Sequence, residues 1–421
     1  MSSVTALSVA EFAKEINIVE RINHTKLWAL TLGNFAVGTG SLIVAGILPE
    51  IATGLGTSVA MAGQLVTVYG LALAIGAPLL AMAAGRIERR KLMLGGLAVF
   101  VLACLIGAFA TNFTILVLSR VLAGVGAALF TPNAAALAAQ LVEPKRRGRA
   151  IALVFAGFSF ASVIGVPLGT YVGCEFGWHS AFGLVAALGL LALVTIAKTL
   201  PSGVTVPAVA LRLWLRLFHQ LAPMLAVTIT VFSMAGQYAL FTYIAALLGE
   251  MHGIRPTGLS ALLVWFGVAG VLGNAFAGRA VDRLGAALVA TVGIGVLLAA
   301  LIIMGNSGSS LPLTILAMGL WGSAAFAISS AQQVRLVNHD PRLAGATLAL
   351  NTSGLYVGQA VGALLGGIAI SMLGLQSVVW TGVILLMIAM GLSIWESLLS
   401  QKNQAQTSGL SALSSGTSRL P

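Results

Sequence analysis

Apolar runs of about twenty residues, separated by short polar breaks, recur from Leu27 to Leu399. A helix rises about 1.5 Å per residue, so about 20 apolar residues cross the hydrocarbon core of a bilayer. The pattern predicts twelve spans, at about 27–48, 61–84, 92–110, 113–141, 150–173, 181–197, 222–248, 258–278, 286–304, 311–334, 344–372 and 378–399. Barrel strands alternate over only about ten residues, and these runs are longer and more continuous. The fold class expected is therefore an all-α membrane protein with twelve transmembrane helices.

Small residues divide these spans into two sets. Span 5 carries Gly157, Ala161, Gly165, Gly169 and Gly173, one every four residues. Span 11 carries Gly354, Gly358, Gly362 and Gly366 with the same period, and the first four positions of each map with a constant offset of 197. A four-residue period keeps these residues on one helix face, where two helices can approach closely. AGRIERR at 84–90 after span 2 and AGRAVDR at 277–283 after span 8 form a second repeated pair. The repeat predicts two pseudo-symmetric six-helix bundles, 27–197 and 222–399. They are joined by a cytoplasmic linker, 198–221, and flanked by a cytoplasmic tail, 1–26, and a disordered tail, 400–421. Repeated halves are a transporter architecture, with the substrate site near the midplane between them. Pro78, Pro132 and Pro167 fall inside spans 2, 4 and 5, and each removes a helix hydrogen bond and favours a kink.

Charge orients the spans. Only 8% of the 421 residues are charged, 58% are hydrophobic, and the mean hydropathy is +1.02. With both termini cytoplasmic, 20 of the 22 Lys and Arg residues fall on the inner side, as basic residues do in membrane proteins. Arg255 is the one outer exception, and Arg120 lies within a span. The net charge of +11 is then an orientation signal, and no nucleic-acid partner is expected. Cys104 and Cys174 give no support for a disulfide. The first 26 residues lack the short apolar core and cleavage site of a signal peptide.

Several stretches in order resemble one family: GILPEIA at 46–52, ERRK at 88–91, LSRVLAGVGAA at 118–128, EPKRRGRA at 143–150, GVPLGT at 165–170 and GNAFAGRAVDRLG at 273–285. The chain over about 27–399 is similar to the major facilitator superfamily, in its twelve-span drug/proton antiporter type close to sugar and arabinose-efflux-like permeases. The resemblance of GVPLGT implies export, and implies a gating role for Gly165, Pro167 and Gly169. It likewise implies an inner latch from Gly85, Arg86, Glu88 and Arg89 and from their second copy at Asp282 and Arg283. The first copy lacks the family's Asp, and the second keeps it, so the latch is expected to be asymmetric. Span 1 has Gly40 where the family carries an acid.

Arg120 is the main candidate for the substrate pathway. It lies about seven residues into span 4, roughly 11 Å deep, and a guanidinium cannot shed its charge. One reading is a side chain snorkelling to the headgroups. The other is an interior face, since Gly124, Ala127 and Thr131 share its side of the helix. Its partners would then be Asn34, Ser41 or backbone carbonyls freed at a kink. Ser233, Gln237 and Tyr243 in span 7, Ser330 with Ser323 and Ala327 in span 10, and Asn351 and Tyr356 in span 11 complete a polar, uncharged set. Each is also a candidate for ordinary helix–helix hydrogen bonding. No carboxylate or histidine lies near the middle of a span, so the coupling acid is either missing or replaced by a carboxylate at the rim.

These observations favour a secondary transporter of a bacterial plasma membrane, a monomer in the lipid bilayer with no cofactor and no metal. Its expected cargo is a small neutral or weakly anionic solute, such as a sugar, a nucleoside or purine, or an amphiphilic drug. Proton antiport is the expected coupling. The alternatives are a facilitator or uptake porter without proton coupling, and a non-transporting sensor. The absence of GxxxxGK[ST], HExxH and GxSxG speaks against a primary pump and against an enzyme.

Overall fold

The computed structural model describes residues 3–83, 87–143, 146–200, 220–339 and 344–416. Twelve of its helices are long and apolar enough to cross a membrane: His24–Gly46, Val59–Leu80, Arg89–Ala108, Phe113–Gln140, Arg147–Glu175, Trp178–Thr199, Leu221–Phe241, Pro256–Leu284, Ala286–Asn306, Leu311–Asn338, Ala346–Leu373 and Ser377–Leu399. Each corresponds to one predicted span. Among the described residues every regular element is helical.

The ends differ from expectation in an instructive way. The first helix runs Ser3–Gly46, where a cytoplasmic tail was expected at 1–26, and the last runs Ser377–Gly416, where a disordered tail was expected at 400–421. Extending an existing helix needs no new nucleus, and QKNQAQTSGLSALSSG contains no proline. Span 8 likewise continues through AGRAVDR to Leu284, so that motif is a helix end and not a loop. Gly285, at φ +85°, follows it, a backbone conformation that costs glycine little. Span 7 stops at Phe241, and its predicted continuation is a separate helix, Ile244–His252. Span 1 similarly stops at Gly46, and a short helix, Leu48–Gly54, follows with Pro49 in its first turn. Most of the predicted linker, 201–219, lies outside the described residues.

The small-residue stripes do what their period predicts. A Cβ at Gly157 would strike the backbone of Thr31 and Phe35, and side chains at Gly165, Gly169 and Gly173 would strike Thr39, Ile43 and Ile47. Span 5 is therefore seated directly on span 1. In the second half, Gly354 meets Val227, Gly358 meets the Val231 carbonyl, and Gly362 meets the Ala235 backbone, so span 11 is seated on span 7. Thr31 and Phe35 stand 196 residues before Val227 and Val231, nearly the offset of the stripes themselves. The connections after these spans repeat too. Gly177 and Gly374 both have φ +85°. Three residues after each, Ser180 and Ser377 donate their hydroxyls to the glycine carbonyl, both at 2.6 Å. Gly177 to Gly374 is again an offset of 197.

Span 5 is not a uniform α-helix. Ala161–Gly165 forms a π segment between Arg147–Phe160 and Val166–Glu175. Pro167 has no N–H for the carbonyl four residues back, and a widened turn accommodates that loss. Pro78 and Pro132 sit inside continuous helices.

Two compact units emerge. One holds residues 1–210 and 241–267, and the other holds 211–240 and 268–421. The end of span 7 and the first part of span 8 therefore pack with the first unit.

Candidate functional site

Arg120 is turned into the first unit, with 1% of its surface exposed. That rules out the snorkelling alternative, which needs the guanidinium at the periphery. The helix Phe113–Gln140 begins on an Asn112 cap, whose side chain accepts from the Ile115 N–H. It buries a face that includes Ser119, Arg120, Ala123, Gly124, Ala127 and Thr131. Gly124 allows this face to press against Ala72 and the Tyr69 carbonyl of span 2.

Among the described residues the guanidinium has no carboxylate partner. Its Nη2 donates to the Gly40 carbonyl at 2.8 Å. Its carbon stands 4.6 Å from the Tyr69 ring centre and 5.8 Å from that of Phe182. Each such ring contributes about 0.5–2 kcal/mol of attraction to a cation. Nε and Nη1 are buried without a hydrogen-bond partner. The charge is thus stabilised by one carbonyl dipole and two aromatic faces, with donor capacity to spare.

Of the expected partners, Asn34, Ser41 or a backbone carbonyl, it is a backbone carbonyl that Arg120 meets, and neither side chain bonds to it. Asn34 donates from Nδ2 to the Val154 carbonyl at 3.0 Å and accepts from Thr131 Oγ1 at 3.1 Å. It ties spans 1, 4 and 5 together, and no bond joins it to Arg120. Ser41 is buried, and Gly40, its neighbour, supplies the carbonyl instead. Gly40 also offers no room for the acid it lacks: a Cβ there would stand 2.7 Å from the Phe100 ring and 2.9 Å from Val185. The missing acid and the tight packing of spans 1, 3 and 6 are one fact.

In the second unit Ser233, Gln237 and Asn351 are buried and Ser330 and Tyr356 half-buried. Ser330 donates to Asn274 Oδ1 of span 8 at 2.5 Å. Gln332, which the sequence reading did not single out, donates to the Ala226 carbonyl of span 7 at 3.4 Å. Gln237 donates to the Ser233 carbonyl one turn earlier. Ser233 Oγ and Asn351 Oδ1 are buried without a partner. Tyr356 is half-buried on span 11. Tyr243 lies in the first unit, fully buried against Gly63 of span 2.

The expected latch residues have separate fates. Gly85 and Arg86 lie outside the described residues. Glu88 is 3.7 Å from an exposed Lys91, a pair of small energetic weight. Arg89 is buried and bonded to Asn133 of span 4, and Arg90 donates to the Ala197 carbonyl of span 6 at 2.6 Å. Asp282 and Arg283 are exposed on the last turn of span 8, and among the described residues neither makes a hydrogen bond or ion pair.

Two further polar groupings were missed. Arg335, counted among the inner-side basic residues just beyond the predicted span 311–334, and Glu396, within the predicted span 378–399, are buried in spans 10 and 12 and form an ion pair, Nη2 to Oε2 at 2.9 Å and Nε to Oε1 at 3.1 Å. Arg335 also donates to Ser393 Oγ at 3.1 Å, and Ser393 exchanges a 2.7 Å bond with Thr291 of span 9. One charge inside the apolar stretch SIWESLLS was the available signal. The other grouping joins Cys174 of span 5 to Glu50, thiol to Oε1 at 3.2 Å. Among the described residues, no group of three or more His, Cys, Asp or Glu side chains is arranged to hold a metal.

Comparison with known proteins adds the family context. The model of the Major Facilitator Superfamily matches residues 30–244 and 226–417. The chain is 33% identical to the uncharacterized MFS-type transporter YbcL of Bacillus subtilis over 367 residues, 87% of this chain and 94% of that protein. It is also 33% identical to the chloramphenicol resistance protein of Streptomyces lividans over 350 residues, 80% of this chain and 87% of that one. Among solved structures, a D-xylose-proton symporter superposes with a TM-score of 0.73 at 15% identity, over 89% of this chain and 97% of that one, a likeness of fold.

Proposed function

The chain belongs to the major facilitator superfamily, and from that premise we propose that it exports a small neutral or weakly anionic solute by proton antiport. It is a multi-pass membrane transporter; direction, cargo and coupling are the proposal. The observation that carries it is Arg120: a permanent charge buried in the first unit, with two donor nitrogens lacking a partner and, among the described residues, no acid paired with it. Such a site favours electron-rich polar groups and disfavours cations. The similarity to a chloramphenicol resistance protein supports export and an uncharged amphiphile as cargo.

Transport would proceed by rocking of the two repeated halves, residues 27–197 and 222–399. Asn34, Thr131, Ser233, Gln237, Ser330, Asn351 and Tyr356 are proposed to frame the solute's path. Asp282 and Arg283 would contribute to closing the inner face. A bacterial inner membrane, with both termini cytoplasmic, fits the distribution of basic residues.

The test is chloramphenicol accumulation in cells lacking their own exporters, with the wild-type chain or Arg120→Ala. The expected result is lowered accumulation with the wild type and none of that protection with the variant at equal abundance. Efflux of the cation ethidium, undiminished in Arg120→Ala, overturns the charge argument.

A further inference from the structure

We propose that Glu50 is the group that takes up and returns the coupling proton, with the Cys174 thiol holding its carboxylate in position; this rests on the antiport reading above. Span 1 ends at Gly46, and Pro49 helps start the short helix Leu48–Gly54 in a new direction. Glu50 falls in its first turn and is half-buried. One oxygen accepts the Cys174 thiol at 3.2 Å. The other, Oε2, is shielded from solvent and has no hydrogen-bond partner.

The remaining described acids are differently placed. Glu88 and Glu396 stand against Lys91 and Arg335, so each has a cation partner. Glu143, Glu175, Glu250 and Asp282 are exposed. Glu50 alone among the described carboxylates with placed side chains combines partial burial with no ion-pair partner. A thiol is a weak donor, so it orients the carboxylate without committing it to one protonation state. The carboxylate gains one proton from water, becomes neutral, and later gives that proton back to water. Cys174 keeps its own S–H throughout.

The surroundings suit a group that must see water intermittently. Leu48–Gly54 packs against spans 2 and 6 and against the helix Ile244–His252, which comes from the second half of the sequence but lies in the same compact unit. The titratable and charged groups on these neighbours are Tyr69 on span 2, His179 and Lys198 on span 6, and Glu250 and His252 on Ile244–His252. Span 5 adds Cys174 and Glu175 at this end and Arg147 and Arg149 at the other, and the charges of span 1 lie at its far end. His179 is occupied with the Ala110 carbonyl at 3.1 Å.

The test uses the purified full-length protein in liposomes. Infrared difference spectra between acid and alkaline buffer should contain a protonated-carboxyl band that is lost in Glu50→Gln. In the same vesicles Glu50→Gln should abolish chloramphenicol accumulation driven by a pH gradient and retain exchange of labelled for unlabelled chloramphenicol. Cys174→Ser, which keeps a donor of different strength, should shift the pH at which the band titrates. A Glu50→Gln protein that keeps both the band and gradient-driven accumulation overturns the proposal. Should Glu50→Gln fail to fold, an unshifted band in Cys174→Ser overturns it. If the wild type moves no chloramphenicol, the cargo reading falls, and the infrared arm still decides the proton site.

Discussion

Besides Arg89 at the start of span 3, each half of the molecule buries an arginine within a span, Arg120 in one and Arg335 in the other, and the two are neutralised differently. In the second unit Arg335 meets Glu396, Ser393 and, through Ser393, Thr291. That network joins spans 9, 10 and 12, and its charge is matched by a full counter-charge. In the first unit Arg120 has a carbonyl, two aromatic faces and two donors with nothing to bond. A buried cation completed by an acid is a structural fastening. A buried cation left incomplete is available to something that arrives later. Burial is the same in both, so the difference lies in the partners.

The largest expected effect breaks the fastening. Glu396→Ala leaves Arg335 charged, buried and unpaired, and should cost about 3–5 kcal/mol of stability. Thermal unfolding in detergent measures it. The double variant Arg335→Met/Glu396→Leu, which removes both charges, should recover most of the loss. A double variant as unstable as Glu396→Ala would mean that packing, not charge, holds spans 10 and 12.

Next come the two stripes. Gly362→Ala drives a methyl into the Ala235 backbone, and Gly169→Ala meets the side chain of Ile43, at Cδ1 and Cγ1, and no backbone. Overpacking against rigid backbone should cost about 1–3 kcal/mol, and Ile43 can turn away more cheaply. The two melting temperatures compare them directly, and equal losses would show that span 1 is as rigid toward span 5 as span 7 is toward span 11.

Arg120→Met should alter stability less than the stripe variant. It loses a hydrogen bond and two ring contacts, about 1 kcal/mol each, and gains relief from burying an unpaired charge. Transport should nevertheless be lost. A variant that unfolds like Glu396→Ala would make Arg120 a fastening as well.

The smallest effect is at Asp282. The side chain is exposed and without a described partner, so Asp282→Asn should change stability by less than about 0.5 kcal/mol. If it contributes to a latch, the transport rate falls while the melting temperature stays.

The twelve spans, the repeat and the seating of span 5 could be read from the chain. Length and hydropathy are summed over twenty residues, so single exceptions hardly alter them, and a four-residue stripe of small side chains has meaning only on a helix face. Arg120 as an interior residue was also legible, through Gly124 and Ala127 on its side of the helix. Its partners were not. Asn34 and Ser41 lie on the right span, but hydrogen bonding depends on rotation within a fraction of a turn, and Asn34 was claimed by Val154 and Thr131. The absence of an acid at Gly40 was plain in the sequence, whereas the packing of Phe100 and Val185 against it was not. Arg335 and Glu396 stand 61 residues apart, and Glu50 and Cys174 stand 124 apart. Periodicity is a local property and reports which face of a helix is buried. Which polar groups meet across that buried face is decided by the neighbours of each helix and its rotation, and only tertiary packing sets those.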